Sequence, residues 1–300
     1  IEDFINNDIP VVSYKEFDYT VIRPDVIYYH NPYDGNNRVT SVSPEFYSDN
    51  LKHYTDMLVY VPYFVAIPYE DASIVSNASK VILQSAPLKE VYVENGVCKE
   101  KLEVLGSPKI DAMLKEQVCE VIPPEWRNLK DKKIILYNSS IASLLNNESY
   151  FKRLKKHFQE ILNNDNKCAL IWRPHPLLEA TINSMKPEVA DDFKNIKELV
   201  LNSTNGVIDV NASVSPAFSI SDGLITDRSS LIQSYILTEK PIYIMDIPSE
   251  PTEDTFVCSD IYSCYFEEEL PFESFVNMLI NDEDPVKANR ISNFKNSIVN

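Results

Sequence analysis

Two short segments carry the residue types that bind phosphate. The first, Ala169–Pro176, reads ALIWRPHP. The apolar run Cys168–Trp172 predicts a buried parallel strand. The prolines behind it stop both helix and ladder pairing. Arg173 and His175 therefore fall on a stiff turn at the carboxyl edge of a sheet, where open α/β sheets take their ligands. A guanidinium fork beside an imidazole suits a phosphate. The competing reading pairs Arg173 with a nearby carboxylate and has His175 cap a helix.

The second segment, Asp222–Ser230, reads DGLITDRSS. Gly223–Thr226 predicts a short buried strand, Arg228–Thr238 an amphipathic helix, and Pro241–Met245 the next strand. The turn Asp227-Arg228-Ser229-Ser230 offers backbone N–H groups, two hydroxyls and an arginine to an anion. Ser229 and Ser230 are expected to donate to a diphosphate, a role compatible with N-capping. Asp227 repels phosphate and is expected to cap or to orient Arg228. Asn138 and Ser139, just past the strand Ile134–Tyr137, are expected to line the same substrate pocket.

These turns need a frame. In the second half, strands are expected at Ile134–Tyr137, Ala169–Trp172, Val207–Val210, Leu224–Thr226 and Ile242–Met245. Helices are expected at Asn147–Leu162, Glu179–Leu201 (interrupted at Pro187), Ser213–Ile220, Arg228–Thr238, Glu269–Ile280 and Pro285–Val299. Strands with helical crossovers make a doubly wound parallel sheet. The first third is less regular, with strands at Val26–Tyr29, Leu58–Tyr63, Val81–Leu83 and Val104–Leu105, and a further one at Ile9–Val12. Short helices are expected at Glu45–Tyr54 and Lys109–Val118. Prolines and charges make Val118–Lys133 an expected linker. The fold class is α/β with two Rossmann-like domains, 1–120 and 121–300.

Composition narrows the function. A chain of 300 residues with net charge −17 lacks the basic footprint of a nucleic-acid binder and is not drawn to an anionic membrane. Its five cysteines include no Cys-x-x-Cys, which fits a reducing cytosol. The four histidines are scattered without metal-ligand spacing, so no metal and no cofactor is expected. Five glycines leave no Gly-x-Gly-x-x-Gly and no Walker A loop. The stretch Met57–Pro68 is too short to span a bilayer. The start, IEDFINNDIP, has no signal region and reads as cut from a longer chain.

The chain resembles the CDP-glycerol glycerophosphotransferases of teichoic acid synthesis. The likeness runs through His30-Asn31-Pro32-Tyr33-Asp34, Val39-Thr40-Ser41-Val42, Leu58–Phe64 and Gly106-Ser107-Pro108-Lys109-Ile110-Asp111. It continues through Trp172–Pro176, Ile225–Ser230 and Lys240-Pro241. The resemblance implies a GT-B fold whose domains face across a cleft. Residues 1–120 would be the acceptor-side domain, incomplete at its start, and 121–300 the nucleotide-donor domain. It implies a metal-independent transfer of glycerol phosphate from CDP-glycerol to a hydroxyl of a polymer or lipid-linked acceptor, releasing CMP. The protein would then be cytoplasmic, at the inner membrane face only through segments outside this chain. One departure stands out: the family carries His-Gly and then a lysine where this chain has His30-Asn31-Pro32.

The chemistry assigns roles. Without a metal, cations and amide dipoles must neutralise the diphosphate. A base must take the acceptor proton, which suits histidine. His30, after the first strand, is the expected base, against the reading of a ring bonded to a turn carbonyl. His175 and Arg173 hold donor phosphates, His175 counting as a second catalytic residue. Substituting Arg173 or His175 by alanine is expected to weaken donor binding at little cost in stability. The competing functions are a GT-B sugar-nucleotide glycosyltransferase or epimerase, and a catalytically silent nucleotide-binding module.

Overall fold

The apolar runs form two parallel sheets. The computed structural model describes residues 4, 6–31, 34, 42–62, 72–116, 122–146, 149–227, 229, 231–245 and 263–298. The chain divides into two compact units, Ile1–Gly106 and Ser107–Asn300. The division falls at a turn where Gly106 holds φ +91, ahead of the 120/121 boundary expected from the sequence.

The first unit has four strands in the order β1-β2-β3-β4, every pair parallel: β1 (Val26–Tyr29), β2 (Met57–Tyr60), β3 (Lys80–Leu83) and β4 (Leu102–Val104). Helices α1 (Ala72–Asn77) and α2 (Ala86–Glu94) are the crossovers. Leu58, Tyr60, Val81 and Leu83 share a core with Ile74, Val75, Leu88 and Tyr92 from those helices. The strand expected at Ile9–Val12 is absent. That segment is irregular, and Ile9, Val11 and Val12 stand exposed with no strand partner. The helix expected at Glu45–Tyr54 is a 3-10 turn, Pro44–Phe46, followed by one helical turn, Ser48–Leu51.

The second unit opens with α3 (Pro108–Glu116) and carries six parallel strands in the order β10-β9-β8-β5-β6-β7. These are β5 (Lys133–Ser139), β6 (Cys168–Pro174), β7 (Gly206–Ile208), β8 (Gly223–Thr226), β9 (Ile242–Ile244) and the two-residue β10 (Tyr265–Phe266). Helices α4 (Ile141–Asn146), α5 (Tyr150–Leu162), α6 (Leu178–Met185), α7 (Ala190–Leu201), α8 (Ser215–Ile220) and α9 (Leu231–Tyr235) connect them. Helices α10 (Phe272–Ile280) and α11 (Lys287–Ile298) close the unit. Strands buried on both faces read as unbroken apolar runs, and β5, β6 and β8 do so.

Helix α5 shows why the layer forms. Its buried residues Tyr150, Phe151, Leu154, His157, Phe158, Ile161 and Leu162 recur at three- and four-residue steps, one face of a helix. All of them but His157 pack with Tyr137, Trp172 and Phe275 in one core. On β8, Gly223 allows the closest approach: a Cβ there would lie 2.9 Å from Leu279 Cδ1 on α10.

Three expectations are corrected. The expected linker Val118–Lys133 falls inside the second unit, where Pro124–Leu129 is a 3-10 helix whose Trp126 and Leu129 are buried. The helix expected from Asn147 to Leu162 is α5, Tyr150–Leu162, and a separate short helix that was not expected, α4, precedes it. The helix expected at Arg228–Thr238 is α9 plus a 3-10 turn, Ile236–Thr238, and starts at Leu231.

Candidate functional site

Register sets the site. β5 lies between β6 and β8, with Asn138 opposite Arg173, Ser139 opposite Pro174 and Tyr137 opposite Ile225. The carboxyl ends of the three central strands therefore bring Asn138, Ser139, Arg173, His175 and Asp227 to one edge of the second unit.

Asn138 is buried, and its Nδ2 donates to Thr226 Oγ1 at 2.9 Å and to Ser229 Oγ at 3.2 Å. Its amide stitches β5 to the turn after β8. Ser229 Oγ also accepts from the Leu231 N–H at 3.3 Å, so it supports the start of α9. Ser139 is 1% exposed, and its Oγ accepts from Trp172 Nε1 at 2.9 Å. Its carbonyl accepts from the His175 N–H at 2.9 Å. Ser139 thus holds the Arg173–His175 turn from below.

Arg173 is held by a carboxylate, as its competing reading had it, and the residue that supplies it is Asp209, which the sequence did not single out. Its Nη1 lies 2.5 Å from Asp209 Oδ2, and its Nη2 donates to the Asn211 carbonyl at 3.0 Å. The Asp209 side chain is fully buried, and its Oδ1 accepts from the Asn211 backbone and side-chain amides at 3.0 and 2.8 Å. The only signal in the sequence is an acidic residue directly after an apolar strand, here β7. The ion pair fixes the guanidinium at the wall of a cavity of about 240 Å³, lined also by Pro174, His175, Lys197 and Asn211.

His175 has a defined tautomer. Its Nδ1 accepts from the Leu177 N–H at 3.1 Å, so a neutral ring carries its proton on Nε2. Burial holds its pKa below the ordinary histidine value, against an opposing pull from the Asp227 charge. The ring is therefore set up to donate from Nε2. Its carbonyl accepts from Leu178 N–H, so the residue also begins α6.

Asp227 reaches across to the turn after β5. Its Oδ2 accepts from the Ser140 N–H at 3.0 Å and from the Ser143 hydroxyl. Ser140 Oγ in turn accepts from the Ser143 N–H at 3.2 Å. Asp227 and Ser140 together cap α4. Arg228 and Ser230 lie outside the described residues. Lys240, part of the resemblance, precedes β9 at the opposite edge of the sheet. Its Nζ donates to the Phe218 and Ser219 carbonyls at the end of α8.

His30 belongs to the first unit. It follows β1, is exposed, and stands on the lining of a largely apolar cavity of about 680 Å³ with Tyr29, Asn31, Val42 and Phe46. Asp34 is buried and accepts from Tyr29 Oη at 3.0 Å and from the Ser48 N–H at 2.9 Å. Among the described residues no group of three or more His, Cys, Asp or Glu is placed to hold a metal ion, and no helix is long and apolar enough to cross a membrane.

Solved structures with this fold define its class. A putative UDP-N-acetylglucosamine 2-epimerase from Listeria monocytogenes superposes with TM-score 0.61 at 16% identity, covering 91% of this chain and 74% of its own. The wall teichoic acid polymerase TagF superposes with TM-score 0.54 at 15% identity, covering 91% and 76%. The fold is that of the GT-B proteins, two α/β units with parallel sheets.

The sequence identifies the family within that class. The profile of the CDP-glycerol:poly(glycerophosphate) glycerophosphotransferases matches residues 65–253. The chain belongs to that family. It is 26% identical over 220 residues to the teichoic acid ribitol-phosphate polymerase TarL of Staphylococcus aureus, covering 70% of this chain and 34% of the relative. A poly(ribitol-phosphate) polymerase of Bacillus spizizenii is 25% identical over 199 residues, covering 64% and 29%. The chain spans about a third of the length of these relatives.

Proposed function

We propose that this chain is the transferase core of an enzyme that moves glycerol phosphate from CDP-glycerol to a hydroxyl of a cell-surface polymer and releases CMP. One observation carries the reading: Asn138, Arg173, His175 and Ser229 gather at one carboxyl sheet edge, in a chain matched by the family profile. Arg173, pinned by Asp209, and the Nε2–H of His175 supply charge and a donor to the diphosphate. Arg228, Ser229 and Ser230 complete the donor turn, and Asn138 and Ser139 support its nucleotide side.

In the reaction the acceptor oxygen forms a bond to the phosphorus that bears glycerol. The bond from that phosphorus to the bridging oxygen breaks, and the bridging oxygen leaves on CMP. His30 takes the acceptor proton. His175 is the weaker choice for the base, because its Nδ1 is committed to the Leu177 N–H and its Nε2 already holds a proton. The transfer needs no metal: positioning and fixed positive charge do the work. Nucleotide-activated donors place the reaction on the cytoplasmic side of the membrane.

A second donor is favoured by the relatives, whose names specify ribitol phosphate. The test is a melting panel with CDP-glycerol, CDP, UDP and GDP, followed by CMP release from CDP-glycerol and from its ribitol counterpart. A ligand at 100 times its dissociation constant adds about 2.7 kcal/mol. Stabilisation by the cytidine nucleotides above the others supports the reading. Equal shifts across the panel remove it. Release from the ribitol donor alone transfers the assignment to ribitol phosphate.

A further inference from the structure

A small cavity lies behind the Asp227 turn, between β5, β8 and helix α5. Its volume is about 20 Å³, and Tyr150, Asp227, Ser139, Ser143 and Arg153 are among its lining residues. Tyr150 and Asp227 are 6% and 0% exposed. Asp227 Oδ1 has no hydrogen-bond partner among the described residues, and Tyr150 Oη makes no hydrogen bond of good geometry there, although the Ser139 side chain lies close enough to lower the phenol's pKa slightly against the larger effect of burial. A buried carboxylate oxygen and a buried phenol left without good hydrogen bonds each carry a desolvation penalty. Two such atoms on one cavity call for a common partner.

The size of the cavity and the chemistry of its wall select that partner. A cavity of about 10–15 Å³ or more admits one water, provided two to four polar groups bind it. Burial pushes the Tyr150 phenol well above its usual pKa, so it stays protonated and can donate. Asp227 Oδ1 can only accept when ionised. Water satisfies both at once, accepting from Tyr150 and donating to Asp227. A metal cation is disfavoured by Arg153 on the same wall, whose guanidinium pairs with Glu267.

We infer that this cavity holds one buried water bridging Tyr150 Oη and Asp227 Oδ1, making Tyr150 a positioning residue for the turn at the sheet edge. The water locks one carboxylate oxygen while the other holds Ser140 and Ser143. Helix α5 is thereby tied to both β8 and the start of α4. The inference is independent of the identity of the donor.

A crystal structure of this chain at a resolution that shows ordered water tests it directly. The expected result is one density peak within about 2.7–3.2 Å of both oxygens. A dry cavity, a direct bond from Tyr150 to Asp227 or Ser139, or a peak with metal-like distances overturns it. Tyr150→Phe supplies a second readout. Its melting temperature is expected to fall by about 2–4 °C, and the Ser140 amide is expected to exchange about tenfold faster by hydrogen exchange. Unchanged Ser140 protection in that variant overturns the positioning role.

Discussion

Arg173 and Asp209 form an ion pair at 2.5 Å in which the carboxylate side chain is wholly buried and the arginine side chain 11% exposed. Both strand ends are committed to the contact, since the Asp209 N–H donates to the Trp172 carbonyl at 2.7 Å. The pairing of Arg173 with a carboxylate, one of the two readings of its sequence, is present. It is compatible with phosphate binding, because the fork is held rigid at a cavity wall.

The pair changes what a substitution at Arg173 does. Arg173→Ala strands a buried charge and is expected to destabilise the protein by about 3–5 kcal/mol. Arg173→Ala with Asp209→Asn should recover part of that loss and still bind CDP weakly. Denaturant melts of the four combinations measure the coupling. Additive effects would mean that the pair is not what holds the turn.

His175→Ala should be milder. Its Nδ1 supports one backbone N–H, and the loss of one such bond costs about 0.5–1.5 kcal/mol. The expected signature is a near-normal melt with weakened CDP binding by calorimetry. Normal affinity in a folded variant would leave His175 with only its role at the start of α6.

His157 gives the protein an acid-sensitive core. It is 4% exposed, stacked on Phe272 with ring centroids 3.7 Å apart, and its Nδ1 lies 2.9 Å from Tyr137 Oη. Burial, with smaller pushes from Arg153 and Lys156, lowers its pKa to about 3. The unfolded chain therefore takes up a proton near pH 6.5 that the native state refuses. Stability from this group is full above about 6.5 and declines as pH falls towards 3, by up to about 1.4 kcal/mol per unit. His157→Gln should flatten the slope of stability between pH 6.5 and 5. Identical slopes in both proteins would show that the titration lies elsewhere.

Gly223→Ala probes the packing of β8 on α10. The new Cβ would meet Leu279 Cδ1 at 2.9 Å and Cδ2 at 3.0 Å. Because these are side-chain ends, the cost is expected near the low end of about 1–3 kcal/mol. Adding Leu279→Ala should not relieve it fully, since that change opens a cavity of its own. A Gly223→Ala melt equal to that of the unmutated chain would show that Leu279 moves freely.

His30→Ala tests the base. Donor affinity should be unchanged and CMP release should fall by roughly 10²–10⁴-fold. The assay needs a glycerol-phosphate-primed acceptor. Near-normal turnover would assign the proton to another group. Absent turnover in the unmutated chain, with CDP still bound, would point to a silent module or to a different acceptor.

The sequence revealed the frame better than the joints. The runs Ile134–Tyr137 and Ala169–Trp172 are apolar on both faces, so the central strands and the turn after β6 were plain. Asp209 was not, because its partner is set by the register of β7 beside β6, which no local pattern encodes. Trp126 and Leu129 sit among prolines and charges that mimic a linker, yet two buried side chains suffice to anchor that stretch. The two-residue β10 has no periodicity to read. Asn138 and Ser139 end β5, and their side chains bond Thr226, Ser229 and Trp172, partners set by strand register that no local pattern announces.

The Asn138–Thr226 bond joins residues 88 positions apart, and the Ser140–Asp227 bond 87. During synthesis at about 5–20 residues per second, β5 therefore waits roughly 4–18 seconds for the strand that completes its edge. Until then it has β6 on one side and an open ladder on the other, an invitation to pair with another chain. This sheet edge cannot form until β8 has been made, so a chain stalled before Thr226 would present a sticky strand and no assembled edge.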